Sequence, residues 1–360
     1  MRIHLLSIPN CQVTAAFPLD GFVVRTALMA RLLKRLGHTV ILYGVEQTDA
    51  PCDEFVKCLS EEERQGFVGV TPYQSVPFEP GTGLFLTFNV RAAGELRTRK
   101  QPGDVIATIA GTAQHLISET HPELRFWEYS IGYRGICAPY RVYQSHVWRH
   151  VVHGYTGVDS GRPFDGVVYP WWPVETRPVC YEPDPYVVYC GRFAAVKGVP
   201  RVCAAAKAAG IKLFLMGFGD TSLITYGENL GETSAEDRDR VLARAQAVLM
   251  PTTYLEPFGN IAAEAQLGGT PVIGPDFGAF VETVEQGKTG YRGTTLGDDV
   301  DAIRRCKDLD RRYIHQRALS LYSEDAAARS YAAYLTRLEL ALGEQTQSLI
   351  STHTPELAFA

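Results

Sequence analysis

The sequence predicts an α/β protein made of two Rossmann-like halves, each with its own parallel sheet. In the first half, an apolar run at residues 3–8 precedes an amphipathic segment at 22–36 and a second apolar run at 39–44. This strand–helix–strand order is typical of parallel sheets. The alternation resumes after Val187, and 360 residues are enough for two domains of ordinary size.

The composition is that of an ordinary globular protein, with 46% hydrophobic residues, 21% charged residues and a net charge of −5. This balance argues against a strongly basic protein that binds nucleic acid non-specifically. The eight cysteines form no Cys-x2-Cys pair, so we expect reduced thiols and a cytoplasmic protein. The apolar run at 2–8 is too short for a signal peptide, and no segment has the roughly 20 apolar residues of a membrane span.

The elements of the first half follow from apolar periodicity and from turn residues. Apolar positions 24, 27, 28, 32 and 36 share one helical face, and Gly37 ends that helix. Further strands are expected at 104–110 and 126–133, and a strand or helix at 84–88. Residues 51–82 are expected to be irregular, with short helices at 52–55 and 60–64. Since no Gly-x-Gly-x-x-Gly follows the first strand, a nicotinamide or flavin enzyme is disfavoured.

Two aromatic and basic segments lie near the middle of the chain. A basic cluster at 141–153 fits either a binding face for an acidic acceptor or a solvated helix face. Trp171 and Trp172, between two prolines, suit either packing at a domain junction or stacking on a base or sugar. The cluster contains Arg141, His146, Trp148, Arg149, His150 and His153.

The second half repeats the alternation of strands and helices. Strands are expected at 187–190, 211–216, 247–250 and 271–274, with helices at 198–209, 234–245, 298–307, 310–321 and 324–343. The tail at 351–360 is expected to be loose. Gly217 and Phe218 follow the strand at 211–216, at the end where open α/β sheets bind ligands.

The stretch at 250–265 carries the strongest chemical signal. A buried strand leads into a loop, and a helix is expected to open near Gly259, with Pro257 near its first position. The unpartnered N–H groups and the dipole of such a helix attract anions, and Gly259 lets a ligand approach the backbone. Glu256 and Glu264, with seven residues between them, would accept hydroxyl groups beside that anion. Alternatively, they are a solvated loop glutamate and an ordinary helical glutamate.

This stretch resembles the Glu-x7-Glu motif of family 4 glycosyltransferases, which are retaining enzymes of the GT-B fold. The likeness covers roughly residues 187–293. It includes Gly191-Arg192 and Lys197-Gly198 upstream and the segments 268–273 and 287–291 downstream. The resemblance implies two Rossmann-like domains facing a cleft, at 1–170 for the acceptor and 171–338 for the donor. The end of a last helix and the tail, at 339–360, would return to the first domain.

The family pattern also implies roles for individual residues. Arg192 and Lys197 would neutralise the donor diphosphate, Glu264 would accept from the ribose, and Glu256 would accept from the donor sugar and stabilise its positive charge. No metal or other cofactor is needed. Other donor contacts would come from Gly21, Gly217, Phe218, Leu230, Phe258, Gly259 and Asn260. For Asp20-Gly21 a helix N-cap and turn is an equal alternative.

The first half departs from the family at one place. Many members carry a histidine after the strand at 126–133, and this chain has Glu128, Ser130 and Tyr133 there instead. These three residues, with Trp171 and Trp172, are therefore candidates for the acceptor side.

The predicted activity is transfer of a hexose from a nucleotide sugar to a hydroxyl acceptor. A UDP-sugar, with glucose as the suggested hexose, and a glycan-type acceptor are the first choice. The first alternative is a DNA glycosyltransferase acting on a hydroxymethylated pyrimidine. The second is a catalytically dead protein that binds nucleotide sugars.

Overall fold

The computed structural model describes residues 1–18, 20–76 and 78–340. The chain divides into two compact units. Within these ranges, the first contains Met1–Tyr143, Gly154–Val167 and 330–340, and the second contains Gln144–His153 and Val168–Arg329. No helix in the described ranges is long and apolar enough to cross a bilayer.

The first unit is built on one parallel sheet, which has seven strands over the described residues, in the order β3-β2-β1-β4-β5-β6-β7. The strands are β1 (Arg2–Leu6), β2 (Thr39–Val45), β3 (Glu54–Leu59), β4 (Val105–Thr108), β5 (Arg125–Ile131), β6 (Tyr140–Tyr143) and β7 (Asp165–Val167). The helices in the chain before Val167 are α1 (Gly21–Arg35), α2 (Glu61–Val68), α3 (Gly83–Arg99), α4 (His115–Thr120) and α5 (His146–Tyr155).

Local sequence explains where the helices of the first unit begin. The carboxylate of Asp20 accepts the N–H groups of Phe22 and Val23 at 2.9 and 3.1 Å, so Asp20 is the N-cap of α1. Ser60 and Glu63 form a capping box at α2. Residues 52–55 were expected to be helical, but β3 runs through 54–59 because its apolar side chains pack under α3.

The second unit has its own parallel sheet, which has six strands over the described residues, in the order β10-β9-β8-β11-β12-β13. The strands are β8 (Asp184–Cys190), β9 (Lys212–Met216), β10 (Glu228–Gly231), β11 (Ala245–Leu249), β12 (Val272–Pro275) and β13 (Gly290–Gly293). The helices are α6 (Val199–Ala209), α7 (Ala235–Arg244), α8 (Asn260–Leu267), α9 (Phe280–Thr283), α10 (Leu296–Cys306), α11 (Arg311–Tyr322) and α12 (Glu324–Leu340).

In both sheets the winding direction reverses beside the first strand of the unit. The crossovers run outward from β1 to β2 and β3, then return to the other side of β1 with β4. In the second unit the same reversal lies between β8 and β11. The two α/β halves predicted from the sequence are confirmed, and each sheet has a topological switch point where ligands of such folds bind.

The unit boundaries differ from those expected at two places. Residues 144–153 group with the second unit, where the carboxylate of Glu282 accepts the N–H groups of His146 and Val147 and so caps α5. The chain from Ser330, inside α12, groups with the first unit, and the predicted tail at 351–360 lies outside the described residues.

Candidate functional site

The site lies at the switch point of the second sheet. The chain leaves β8 at Cys190 and forms the loop that carries Arg192 and Lys197. It leaves the neighbouring strand β11 at Leu249 and forms the loop that carries Glu256 and ends at α8. Because both strands are parallel and adjacent, the two predicted motifs come together at one sheet edge.

Two glycines allow the loops at this edge to approach closely. A Cβ at Gly217 would lie 2.0 Å from the carbonyl oxygen of Gly191, and one at Gly198 would lie 2.2 Å from that of Pro251. Both residues also have positive φ, at 142° and 80°, which side chains other than glycine rarely adopt. The predicted donor residue Gly217 therefore packs directly against the loop that carries Arg192 and Lys197.

The two loops and the start of α8 enclose a cavity of about 170 Å³. The predicted residues Arg192, Lys197, Glu256, Gly259 and Asn260 all line this cavity. Arg192 is exposed and makes no ion pair within the described part of the chain. The cavity is completed by Tyr189, Cys190, Gly191, Met250, Thr252 and Ile261.

The charged centre of the cavity is a contact of three side chains. The ammonium of Lys197 lies 3.1 Å from Oε2 of Glu256, and these side chains are 25% and 13% exposed. The hydroxyl of Tyr254 contacts both Lys197 and Glu256, and its ring lies 4.7 Å from the Lys197 ammonium. Burial and the neighbouring Glu256 carboxylate raise the pKa of Tyr254, which therefore stays a neutral donor.

The helix that carries Glu264 presents unpartnered N–H groups to the cavity. Gly259 is the N-cap of α8 with φ of 85°, and its carbonyl accepts the N–H groups of Ala262 and Ala263. The N–H groups of Asn260 and Ile261 therefore lie in the first turn, where α-helices have no internal partner for them. Pro257 was expected near the first helical position, but α8 begins three residues later.

Glu264 does not line the cavity. Its side chain is 7% exposed, and its Oε2 lies 3.0 Å from Arg238 and 3.8 Å from Arg177. Asp239 completes the group through contacts of 3.2 Å to Arg177 and 3.4 Å to Arg238. We call these four residues the Glu264 cluster. It adjoins the cavity at Cys190, whose thiol pKa is raised to about 12 by burial and by the Glu264 charge.

The remaining predicted donor residues differ in how much side chain they offer a ligand. Phe258 is 1% exposed and packs against Tyr169, Trp172 and Tyr322, so only its backbone is available. Phe218 and Leu230 are partly exposed beside β9 and β10. The carbonyl of Phe218 accepts the N–H of Phe193. In the first unit, Gly21 is the first residue of α1, next to its N-cap Asp20.

Of the acceptor candidates of the first unit, Glu128 and Ser130 are buried within β5, and Tyr133 follows that strand. Oε1 of Glu128 accepts the Tyr133 hydroxyl at 2.8 Å, and Oε2 accepts the N–H groups of Cys137 and Ala138, both at 3.1 Å. Ser130 is buried with φ of 52°. Because Glu128 is fully buried and held by three donors, these contacts indicate a structural clamp on the loop at 133–138.

The clamp makes the pH dependence of stability testable. Burial raises the pKa of Glu128 despite its three hydrogen bonds. A carboxyl whose pKa is higher in the folded state favours folding at low pH, and this contribution is lost as the pH rises towards the folded-state pKa. Relative to Glu128→Gln, the wild type should therefore lose Tm as the pH is raised from 4.5, the ordinary pKa of a glutamate side chain, to about 7.

Scanning calorimetry of both proteins across this pH range measures the difference. Glu62→Gln, an exposed glutamate of α2, is the matched control and should follow the wild type. A wild type that gains stability over Glu128→Gln as the pH rises would contradict the argument, because the three donors would then favour the charged carboxylate.

Both tryptophans are buried, and both group with the second unit. Trp171 is fully buried, and Trp172 is 6% exposed and stacks on Phe258 with ring centroids 6.4 Å apart. The backbone N–H of Trp172 donates to the carbonyl of Tyr322. This placement favours the packing role over stacking on a ligand.

Reasoning from the sequence missed Tyr254, Arg177 and Arg238. Tyr254 stands within the motif, but nothing in its spacing indicates contact with both Lys197 and Glu256. Arg238 lies between Asp237 and Asp239, a spacing at which two aspartates could share a ligand. In the structure each of them contacts arginine instead: Asp239 contacts Arg177 and Arg238, and Asp237 pairs with Arg240. Across the described ranges, no group of three or more His, Cys, Asp or Glu side chains is placed to hold a metal ion.

The family model for group 1 glycosyl transferases matches residues 177–305, which contain the cavity and the Glu264 cluster. A D-inositol 3-phosphate glycosyltransferase of Streptomyces avermitilis is 31% identical over 134 residues, which are 37% of this chain and 27% of that protein. The same enzyme of Nocardia farcinica is 41% identical over 66 residues, 18% of this chain and 14% of that protein. The chain thus matches about a quarter or less of the length of these curated relatives.

Solved structures match nearly the whole chain. Sucrose-phosphate synthase from Thermosynechococcus elongatus has a TM-score of 0.70 at 17% identity, covering 95% of this chain and all of that one. The glycosyltransferase AviGT4 of avilamycin A biosynthesis has 0.65 at 20% identity, with 94% and 98% coverage. Anabaena HepE in complex with UDP has 0.65 at 13% identity, with 94% and 100% coverage.

This chain has the GT-B fold. The predicted fold class is thereby confirmed by likeness over whole chains. The family model, which matches within the second unit, and the curated relatives add support for a glycosyltransferase of this fold.

Proposed function

We propose that the protein is a retaining glycosyltransferase of the family 4 type, which moves a hexose from a nucleoside-diphosphate sugar to a hydroxyl acceptor. The observation that carries the proposal is the shared cavity of Arg192, Lys197, Glu256 and the start of α8. Two cations and a helix N-terminus at one point suit a diphosphate, and the adjacent carboxylate suits a sugar hydroxyl. The UDP bound by HepE supports a UDP-sugar as the first choice of donor.

In this mechanism the bond from the anomeric carbon to the diphosphate breaks while the acceptor oxygen bonds to the same face of the sugar. The acceptor proton passes to the departing phosphate oxygen. Arg192, Lys197 and the N–H groups of Asn260 and Ile261 stabilise the charge that develops on the diphosphate. Glu256 stabilises the positive charge of the sugar ring. The residues supply this stabilisation without a metal or another cofactor.

Lys197 already pairs with Glu256, so a diphosphate would compete with this carboxylate for the ammonium. Tyr254 remains as a donor to Glu256 when Lys197 turns to the phosphate. Binding of the donor would therefore change the partners of the Glu256 carboxylate, and Tyr254 would keep this carboxylate oriented towards the sugar.

The two alternatives gain less from the structure. None of the relatives or structures named above is described as acting on a nucleic acid, and the basic helix α5 is capped by an acidic residue, Glu282. A catalytically dead protein is disfavoured because Lys197, Glu256 and Arg192 lie in one cavity. A glycan-type acceptor therefore stays the first choice.

A donor screen tests the proposal. We expect UDP and UDP-glucose to raise the Tm by several degrees at millimolar concentration, because a ligand of the folded state stabilises by mass action. UDP-glucose should also release UDP slowly by hydrolysis when no acceptor is added. If neither UDP, ADP, GDP nor their glucose conjugates raise the Tm, the protein is not a nucleotide-sugar enzyme.

A further inference from the structure

The Glu264 cluster contains two arginines that the proposed chemistry does not use. Arg238 lies on α7 and is 20% exposed, and Arg177 lies before β8 and is 11% exposed. Both guanidinium groups approach the same atom, Oε2 of Glu264. Because both cations contact one oxygen of this buried glutamate, the other oxygen is a candidate acceptor for a ligand.

Charge explains why the glutamate needs partners. Its side chain is 7% exposed and stands near Asp239, a second carboxylate whose side chain is 13% exposed. Burying a carboxylate beside another one is costly unless cations compensate. Arg177 and Arg238 match Glu264 and Asp239 in number, so two cationic side chains face two acidic ones within the cluster.

The contacts distinguish the two oxygens of Glu264. Oε2 is buried, lies 3.0 Å from Arg238, and makes no properly angled hydrogen bond in the described ranges. No hydrogen bond to Oε1 is found within the same part of the chain. The cluster adjoins the cavity at Cys190, which lines the cavity and is close enough for the Glu264 charge to act on its thiol. Glu264 also lies one turn of α8 after Asn260, another lining residue. Oε1 is thus the oxygen available to a ligand that extends past the diphosphate.

We propose that Arg238, assisted by Arg177, is a positioning residue that holds Oε2 of Glu264 and thereby presents Oε1 to the ribose hydroxyls of the donor. The inference rests on the proposed function and deepens it, since it names the residue that orients Glu264 towards the ribose. Arg238 contacts the carboxylate and acts on the nucleotide only through it. Losing Arg238 therefore lowers the preference for ribose and leaves the diphosphate contacts in place.

The test compares the affinities of UDP, ADP and GDP with those of their 2′-deoxy counterparts by calorimetric titration. We expect the wild type to bind the best ribonucleotide roughly ten- to a hundredfold more tightly than its 2′-deoxy form, the range of one hydrogen bond to a charged group. In Arg238→Met this ratio falls towards one, as it does in Glu264→Gln, while affinity for the 2′-deoxy form changes little. Arg238→Lys keeps part of the ratio.

Arg240→Met is the matched control, because Arg240 lies on the same helix, pairs with Asp237 and is 58% exposed. It should keep the wild-type ratio. If Arg238→Met does not fold, Arg238→Lys and Arg177→Met give the same comparison. An unchanged ratio in a folded Arg238 variant, with both affinities reduced alike, overturns the inference. A wild type that binds UDP but not more tightly than its 2′-deoxy form also overturns it and leaves the proposed function intact, whereas no binding of any diphosphate contradicts the function itself.

Discussion

Replacing Arg192 and Lys197 together by alanine should abolish sugar transfer while leaving the fold intact. Both side chains line the cavity at the switch point, and Arg192 is exposed without an ion pair in the described ranges. Removing one preorganised group that stabilises developing charge costs roughly 10²–10³-fold in kcat. We expect each single variant to fall in this range. The double variant should lose more, though not the full product, because both groups act on one diphosphate.

The measurement is UDP release from UDP-glucose, with titration of UDP binding as the second readout. Lys212→Ala with Arg240→Ala is the matched control, since these residues are both 58% exposed and lie outside the cavity. The control should keep wild-type rates and affinity. Wild-type activity in the Arg192→Ala/Lys197→Ala protein, with its circular dichroism unchanged, would refute the phosphate assignment.

Most of the architecture could be predicted because its signals are local. Apolar periodicity and turn residues located β8, α6 and the last helices within a few residues of their observed ends. Likewise, the side chain of Asp20 caps α1 as its position before the apolar stripe indicates. The strand at 54–59 was missed because β3 owes its conformation to β2 and to packing under α3, and neither contact is visible in its own six residues.

The site was predictable where spacing along the chain corresponds to one sheet edge. Arg192, Lys197 and Glu256 follow two strands that turn out to be neighbours, so their meeting follows from topology. The partner of Glu264 was not predictable, because Arg238 reaches it from a different helix, whose exposed positions are rich in arginine and aspartate. Which arginine turns inward is decided by tertiary packing, since both Arg238 and Arg240 fit the same local pattern.

Replacing Glu256 by glutamine should lower the rate of sugar transfer without weakening the binding of UDP. The carboxylate lies 3.1 Å from Lys197, is 13% exposed, and contacts the hydroxyl of Tyr254. Glu256→Gln keeps the shape and one acceptor oxygen but removes the negative charge under the sugar. We expect kcat to fall roughly 10²–10³-fold, as for other charge-stabilising groups. Affinity for UDP should stay equal or increase, because the Glu256 carboxylate no longer competes with the diphosphate for the Lys197 ammonium.

Single-turnover rates with UDP-glucose and calorimetric titration of UDP measure the two quantities on the same protein. Glu228→Gln is the control, since Glu228 pairs with Lys212 on the surface at 57% exposure and should change neither rate nor affinity. If the affinity of Glu256→Gln for UDP falls by the same factor as its rate, the carboxylate holds the nucleotide. A reduced rate with retained affinity assigns it to the sugar, because only the transition state carries the positive charge that the carboxylate stabilises.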